Sequence, residues 1–183
     1  MRGLRTETGH SLIELLVATA VLGLLMAATL SLLQAGLTAW SWGTGRVEAQ
    51  QAVRAALERM ARELREAGYD PTGVGIEAVV VAEPARIVFQ RDLNGNGQID
   101  PTRERVTYLL RPGDTTLRRD AGAGAQPLAE SVRRFALAYL DSAGAPTADP
   151  TRVASVKIEI ESGRAGPVAV MATHVTLRNG PIW

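Results

Sequence analysis

The chain has 183 residues, a mass of 19.5 kDa and a formal net charge of +1, which allows one compact domain with an appendage. Charge is spread along the chain instead of gathering into a basic stripe, and aromatic residues make up 4%, which argues against a nucleic-acid surface or a base-stacking platform. The absence of cysteine excludes disulfides, thiolate chemistry and cysteine-based metal sites, so any exported head must be held by its core alone.

The first elements in chain order are a short basic stretch and a long apolar run. Residues 1–9 read MRGLRTETG, with Arg2 and Arg5 against Glu7, and no charged residue occurs from Leu15 to Gly45. A helix that crosses a bilayer needs about 20 mostly apolar residues, and this run exceeds that, with a span expected over about residues 12–36. Basic residues ahead of the span place the N-terminus in the cytoplasm and the bulk of the chain outside. Trp40 and Trp42 stand where an interfacial aromatic anchor belongs. A cleaved secretory signal has a shorter apolar core, of about 7–15 residues, and ends in small residues. A plain single-pass anchor accounts for length and orientation but not for Glu14. A carboxylate inside an apolar helix costs on the order of 2–3 kcal/mol even on lenient insertion scales.

The run Gly9-His10-Ser11-Leu12-Ile13-Glu14-Leu15-Leu16-Val17-Ala18 resembles the class III signal of type IV pilins and pseudopilins. The resemblance implies cleavage between Gly9 and His10 by a membrane aspartyl prepilin peptidase, which also methylates the new amine at His10. Glu14 then becomes the fifth residue of the mature chain, and the apolar segment is kept. The family usually has phenylalanine where this chain has His10. About four residues of helix separate Glu14 from the new amine, roughly 6 Å along the axis. In a helix bundle a buried carboxylate needs a cationic partner. The resemblance implies that the partner is the N-terminal amine of a neighbouring subunit.

Residues 46–67, RVEAQQAVRAALERMARELREA, are strong helix formers. Val53, Leu57, Met60 and Leu64 form one apolar stripe. Arg54–Glu58, Glu58–Arg62, Arg59–Glu63 and Arg62–Glu66 are expected to pair four residues apart on the outer faces. The helix is thus expected over 10–67, a membrane half and an amphipathic half, with Gly43 and Gly45 marking a bend or local melt between them. Gly68 and Pro71 end it.

From residue 76 the signals turn to strands: Glu77–Ala82, Arg86–Gln90, Arg105–Arg111, Thr116–Arg119, Val132–Leu140, Ser155–Glu161 and Val168–Leu177. The clearest is Ser155–Glu161, with Val156, Ile158 and Ile160 on one side and Lys157, Glu159 and Glu161 on the other. One long helix followed by short strands predicts an α+β fold in which the helix covers the apolar face of an antiparallel sheet. The head is expected over 68–183, in the periplasm. The stretches Gly122–Pro127 and Ala143–Pro150 are expected to be its most mobile loops.

Within the head, Glu104–Tyr108, Leu117-Arg118-Arg119, Gln126–Val132, Phe135, Tyr139-Leu140-Asp141 and Leu177-Arg178-Asn179 resemble PilW-like minor pilins. The J-type minor pseudopilins of type II secretion share that layout. The resemblance implies a minor pilin of type IV pilus assembly, in an initiation or tip complex. The alternatives are a minor pseudopilin of a type II secretion system and a membrane-anchored periplasmic protein that never polymerises. The expected partners are the prepilin peptidase, other pilins or pseudopilins and inner-membrane lipid, with no nucleic acid.

One loop stands apart. Asp92-Leu93-Asn94-Gly95-Asn96-Gly97-Gln98-Ile99-Asp100 follows the first nine positions of an EF-hand-type calcium loop. Asp92, Asn94, Asn96 and Asp100 would offer side chains, and Gln98 its carbonyl, to Ca2+. The twelfth position holds Arg103 in place of glutamate, with Glu104 next. A hairpin loop with Asn-Gly turns explains the same residues. No catalytic constellation is visible, His174 standing alone in a strand, so the chain is expected not to be an enzyme.

Overall fold

The computed structural model describes residues 11–163 and 168–180, without the side chains of residues 42 and 44–46. The chain forms two compact units, Met1–Thr44 and Gly45–Trp183. Helix α1 (Leu12–Arg65) contributes its first part to one unit and its last to the other. Its helical hydrogen bonding passes through Gly43 and Gly45, so the expected melt does not occur. An isolated glycine costs only about 1 kcal/mol against alanine in a helix, and strong helix formers lie downstream.

In the second unit α1 buries Val53, Ala56, Leu57, Met60, Ala61 and Leu64, the stripe that the sequence spacing marks. The chain leaves the helix at Gly68, whose φ of +74° suits glycine. A Cβ there would stand 2.6 Å from the Asn179 carbonyl oxygen and 2.8 Å from Ala78 Cβ. The Gly68 N–H donates to the Gln90 carbonyl at 2.8 Å, which ties the end of the helix to the sheet below.

The head holds two antiparallel sheets where the sequence suggests one. The first is a five-stranded meander of β1 (Val79–Glu83), β2 (Arg86–Gln90), β3 (Arg105–Leu109), β4 (Leu117–Asp120) and β5 (Gln126–Ala129). The second has three strands, β6 (Val132–Leu140), β7 (Ser155–Ser162) and β8 (Ala169–Thr176). Both contribute to one core, in which Ile87, Phe89, Val106 and Tyr108 meet Phe135, Val156, Ile158 and Ile160. In β7 the alternation read from sequence holds, with Val156, Ile158 and Ile160 fully buried.

Contacts between the sheets are specific. The Tyr139 hydroxyl donates to the carbonyls of Glu83 at 2.7 Å and Arg86 at 3.1 Å, and the Leu137 N–H donates to the Pro84 carbonyl at 2.8 Å. These bonds hold β6 against the β1–β2 turn. Strand β5 falls partly inside the stretch 122–127 that was expected to be a mobile loop. Gly122 before it packs so closely that a Cβ would meet Thr102 Cα at 2.2 Å. In the other expected loop, Leu140 bridges Pro146, and a short 3-10 turn spans Pro150–Arg152, capped by Asp149.

The ion pairs also differ from the local pattern. Of the four expected helical pairs, Arg59–Glu63 forms, at 3.0 Å. Glu63 also accepts from Arg119 Nε at 3.0 Å and from the Tyr108 hydroxyl at 2.7 Å, while Glu66 pairs with Arg91. Exposed pairs along a helix contribute only a few tenths of a kcal/mol. Glu63 keeps its helical partner and adds Arg119 on β4, whereas Glu66 pairs with Arg91, a largely buried residue just after β2, in place of Arg62.

Candidate functional site

The apolar half of α1 begins at a built N-terminus. Ser11 precedes the first helical residue, and its carbonyl accepts from the N–H of Glu14 at 2.9 Å and of Leu15 at 3.2 Å. Ser11-Leu12-Ile13-Glu14 therefore has the S-x-x-E order of a capping box, with Glu14 at the third helical position. A carboxylate in the first turn is favoured by the positive end of the helix dipole. Placed at the helix start, Glu14 costs less than an acid in the middle of an apolar helix. Sequence reasoning missed this, although the Ser and Glu three apart were there to find it.

Beyond Glu14 the helix is apolar on every side. Leu12, Leu16, Leu24, Leu32 and Leu37 are all exposed, and Trp40 is 70% exposed. A soluble monomer rarely shows a contiguous apolar patch above a few hundred Å². The threonine hydroxyls on this stretch bond back within the helix: Thr19 donates to the Leu15 and Leu16 carbonyls, Thr29 to Leu25 and Met26, and Thr38 to Gln34. Such back-bonding is what a nonaqueous surrounding demands. Leu12–Ser41 is long and apolar enough to cross a membrane, somewhat longer than the expected span of 12–36. Gly9 and His10, like the side chain of Trp42, lie outside the described residues.

The loop after β2 lies in the second unit. Asp92 is fully buried and its carboxylate accepts from the N–H groups of Gly95 at 2.7 Å, Gly97 at 2.8 Å and Asn96 at 3.3 Å. Asn94 accepts from the Asn96 N–H at 2.9 Å, and Asn96 from the Gln98 N–H at 2.8 Å. Asp100 turns to Thr102, accepting from its N–H at 2.8 Å and its hydroxyl at 2.6 Å. Glu104, which is 1% exposed, reaches back from the start of β3 to accept from Leu93, Asn94 and Asp100. Gly95 and Gly97 both take φ of +72°. Two carboxylates thus organise the loop through six amides, as the turn reading requires. Among the described residues no group of three or more His, Asp or Glu is placed to hold a metal ion. The side-chain oxygens of Asp92, Asn94 and Asn96 and Oδ1 of Asp100 accept from backbone amides of the loop. Sequence spacing missed the part played by Glu104, because its reach depends on the loop closing.

His174 is exposed on β8 and shares a 2.9 Å cross-strand hydrogen bond with the Ser155 hydroxyl. No curated protein matches the chain. Residues 4–30 match the family model of the prokaryotic N-terminal methylation motif, a stretch that takes in Gly9, His10 and Glu14. This motif, running straight into an exposed apolar helix of α1, marks the chain as type IV pilin-like or pseudopilin-like and is consistent with a single inner-membrane span.

Proposed function

We propose that this chain is a minor pilin, cut between Gly9 and His10 by prepilin peptidase, that takes part in starting or capping a type IV pilus. The observation that carries this reading is the methylation motif over residues 4–30 joined directly to the apolar segment Leu12–Ser41. Retained after cleavage, that segment first anchors the chain in the inner membrane and then packs among the helices of neighbouring pilins. Arg2 and Arg5 ahead of the span support a head in the periplasm. Glu14, one turn from the new terminus, supports a role in register: its carboxylate faces the methylated amine of an adjacent subunit inside an apolar bundle, where an unpaired charge is costly.

N-terminal mass spectrometry of the membrane form tests the reading. A mature chain beginning at N-methyl-His10 is expected. An intact Met1 overturns it, as does a start beyond Ala20. Gly9→Ala is expected to leave the precursor uncut. Glu14→Ala is expected to be cut but not to enter fibres, and normal recovery of Glu14→Ala in sheared pili would end the charge-pairing account. Loss of the chain is expected to reduce surface pili and leave secreted protein unchanged; the reverse pattern identifies a pseudopilin.

A further inference from the structure

Two grooves in the second unit flank the amphipathic part of α1, and they carry opposite charge. The larger, about 560 Å³, runs between α1 and β8. Leu57, Ala61 and Met171 form its floor, and Arg54, Arg62 and Arg65 stand along its helical wall with Glu58 as its one acid. None of these three arginines has an ion pair among the described residues. Of the acids that helical spacing offers Arg54 and Arg62, Glu66 is taken by Arg91, and Glu58 lies in the same groove. Strand β8 pairs with β7 alone and is an open edge of its sheet, with Val170 exposed. The smaller groove, about 380 Å³, lies where α1 meets β5, the open edge of the five-stranded sheet. Its floor is Ala49, Ala52 and Leu128, its charged groups are Glu48 and Glu130, and no cation is among the described residues that line it.

We propose that these are the two halves of one contact between heads: the β5 edge of one copy, carrying Glu130 and flanked by Glu48, seats in the arginine groove between α1 and β8 of a second copy. Charge complementarity on a single chain selects a second copy as the occupant. A carboxylate meeting a guanidinium over an apolar floor is favourable in geometry and charge. The two faces differ, so the contact is heterologous. Pro127 in β5 has no N–H to donate. The contact is therefore made by side chains and does not become a continuous intermolecular sheet. This inference goes beyond the pilin reading, since it concerns the head and not the processing of Gly9.

The chain has no cysteine, so introduced thiols report without background. Full chains bearing Glu130→Cys or Arg62→Cys, with different tags, are co-expressed in one membrane and oxidised with copper phenanthroline. A mixed-tag disulfide dimer is expected, in clear excess over dimers from either variant alone. Adding Arg54→Glu and Arg65→Glu to the Arg62→Cys chain is expected to lower the mixed dimer by roughly fivefold, as the loss of two exposed charge contacts implies. Adding Glu48→Arg to the Glu130→Cys chain is expected to restore part of it, which a misfolded variant would not do. The proposal is overturned by absence of the mixed dimer, by equal yields from each variant alone, or by yields indifferent to the reversals. Cross-linking of the Arg62→Cys chain to another protein in place of the Glu130→Cys chain also overturns it. N-terminal analysis of the same samples reports separately on cleavage.

Discussion

Glu63 shows how much one side chain decides. Burial pushes its carboxyl pKa up, but hydrogen bonds from Arg119, Tyr108 and Arg59 outweigh that and hold it below the ordinary value. Asp70 is held down to about 2: the desolvation that would raise it is outweighed by N–H donors from Gly75, Ile76 and Gly73 and by Thr72. Both groups bind protons more weakly folded than unfolded. Their stabilisation is therefore complete above the unfolded values near 4.5 and 3.8 and is lost as pH falls through the lower folded ones. The melting temperature of the full chain in detergent is expected to be flat above about pH 5 and to fall from there toward pH 2, with a shallower fall in Glu63→Gln. Glu63→Ala, which leaves Arg119 without its carboxylate, is expected to cost about 3 kcal/mol in a urea titration. Gly68→Ala places a Cβ at positive φ against the Asn179 carbonyl, and a loss of about 2 kcal/mol is expected by the same titration.

At the scale of elements, the loop between β2 and β3 is organised by Asp92 and Glu104 and not by its glycines alone. Asp92→Ala strands the N–H groups of Gly95, Asn96 and Gly97, and a cost of about 2 kcal/mol is expected. Calcium added to the full chain is expected to leave its melting temperature unchanged if the loop is a plain turn, and a rise of several degrees supports the cation reading. This loop was half legible beforehand. The alternation of oxygen side chains with glycine identified a tight, side-chain-bonded turn. The closing acid, Glu104, was out of register with the motif. Helix α1 was legible throughout, since its residues announce themselves by propensity and spacing. Strand β5 was not, because Gln126-Pro127-Leu128-Ala129 has neither β-branched residues nor alternation. It is a strand because β4 offers it an edge.

For the whole molecule, the division into Met1–Thr44 and Gly45–Trp183 follows solvent. The first unit buries almost nothing of its own and exposes leucine on every side; the second has a closed core drawn from helix and both sheets. The chain is therefore expected to stay with membranes through a carbonate wash and to be released only by detergent. Release by carbonate would show that the apolar helix is not held by lipid.

The sequence by itself determined the N-terminal motif, the apolar segment, the amphipathic stripe and the alternation in β6 and β7. Each is a local signal, carried by residues within a few positions of one another. Only the tertiary structure decided that the strands divide between two sheets, that Tyr139 links them, that Glu63 adds Arg119 to its helical partner Arg59, and that Glu66 pairs with Arg91. Among the described residues Arg54, Arg62 and Arg65 have no ion pair, and they stand beside β8. Helix spacing offered Glu63 a partner in Arg59 and Glu66 one in Arg62. Arg119 on β4 and Arg91 just after β2 are distant in sequence, and only packing brings them within reach.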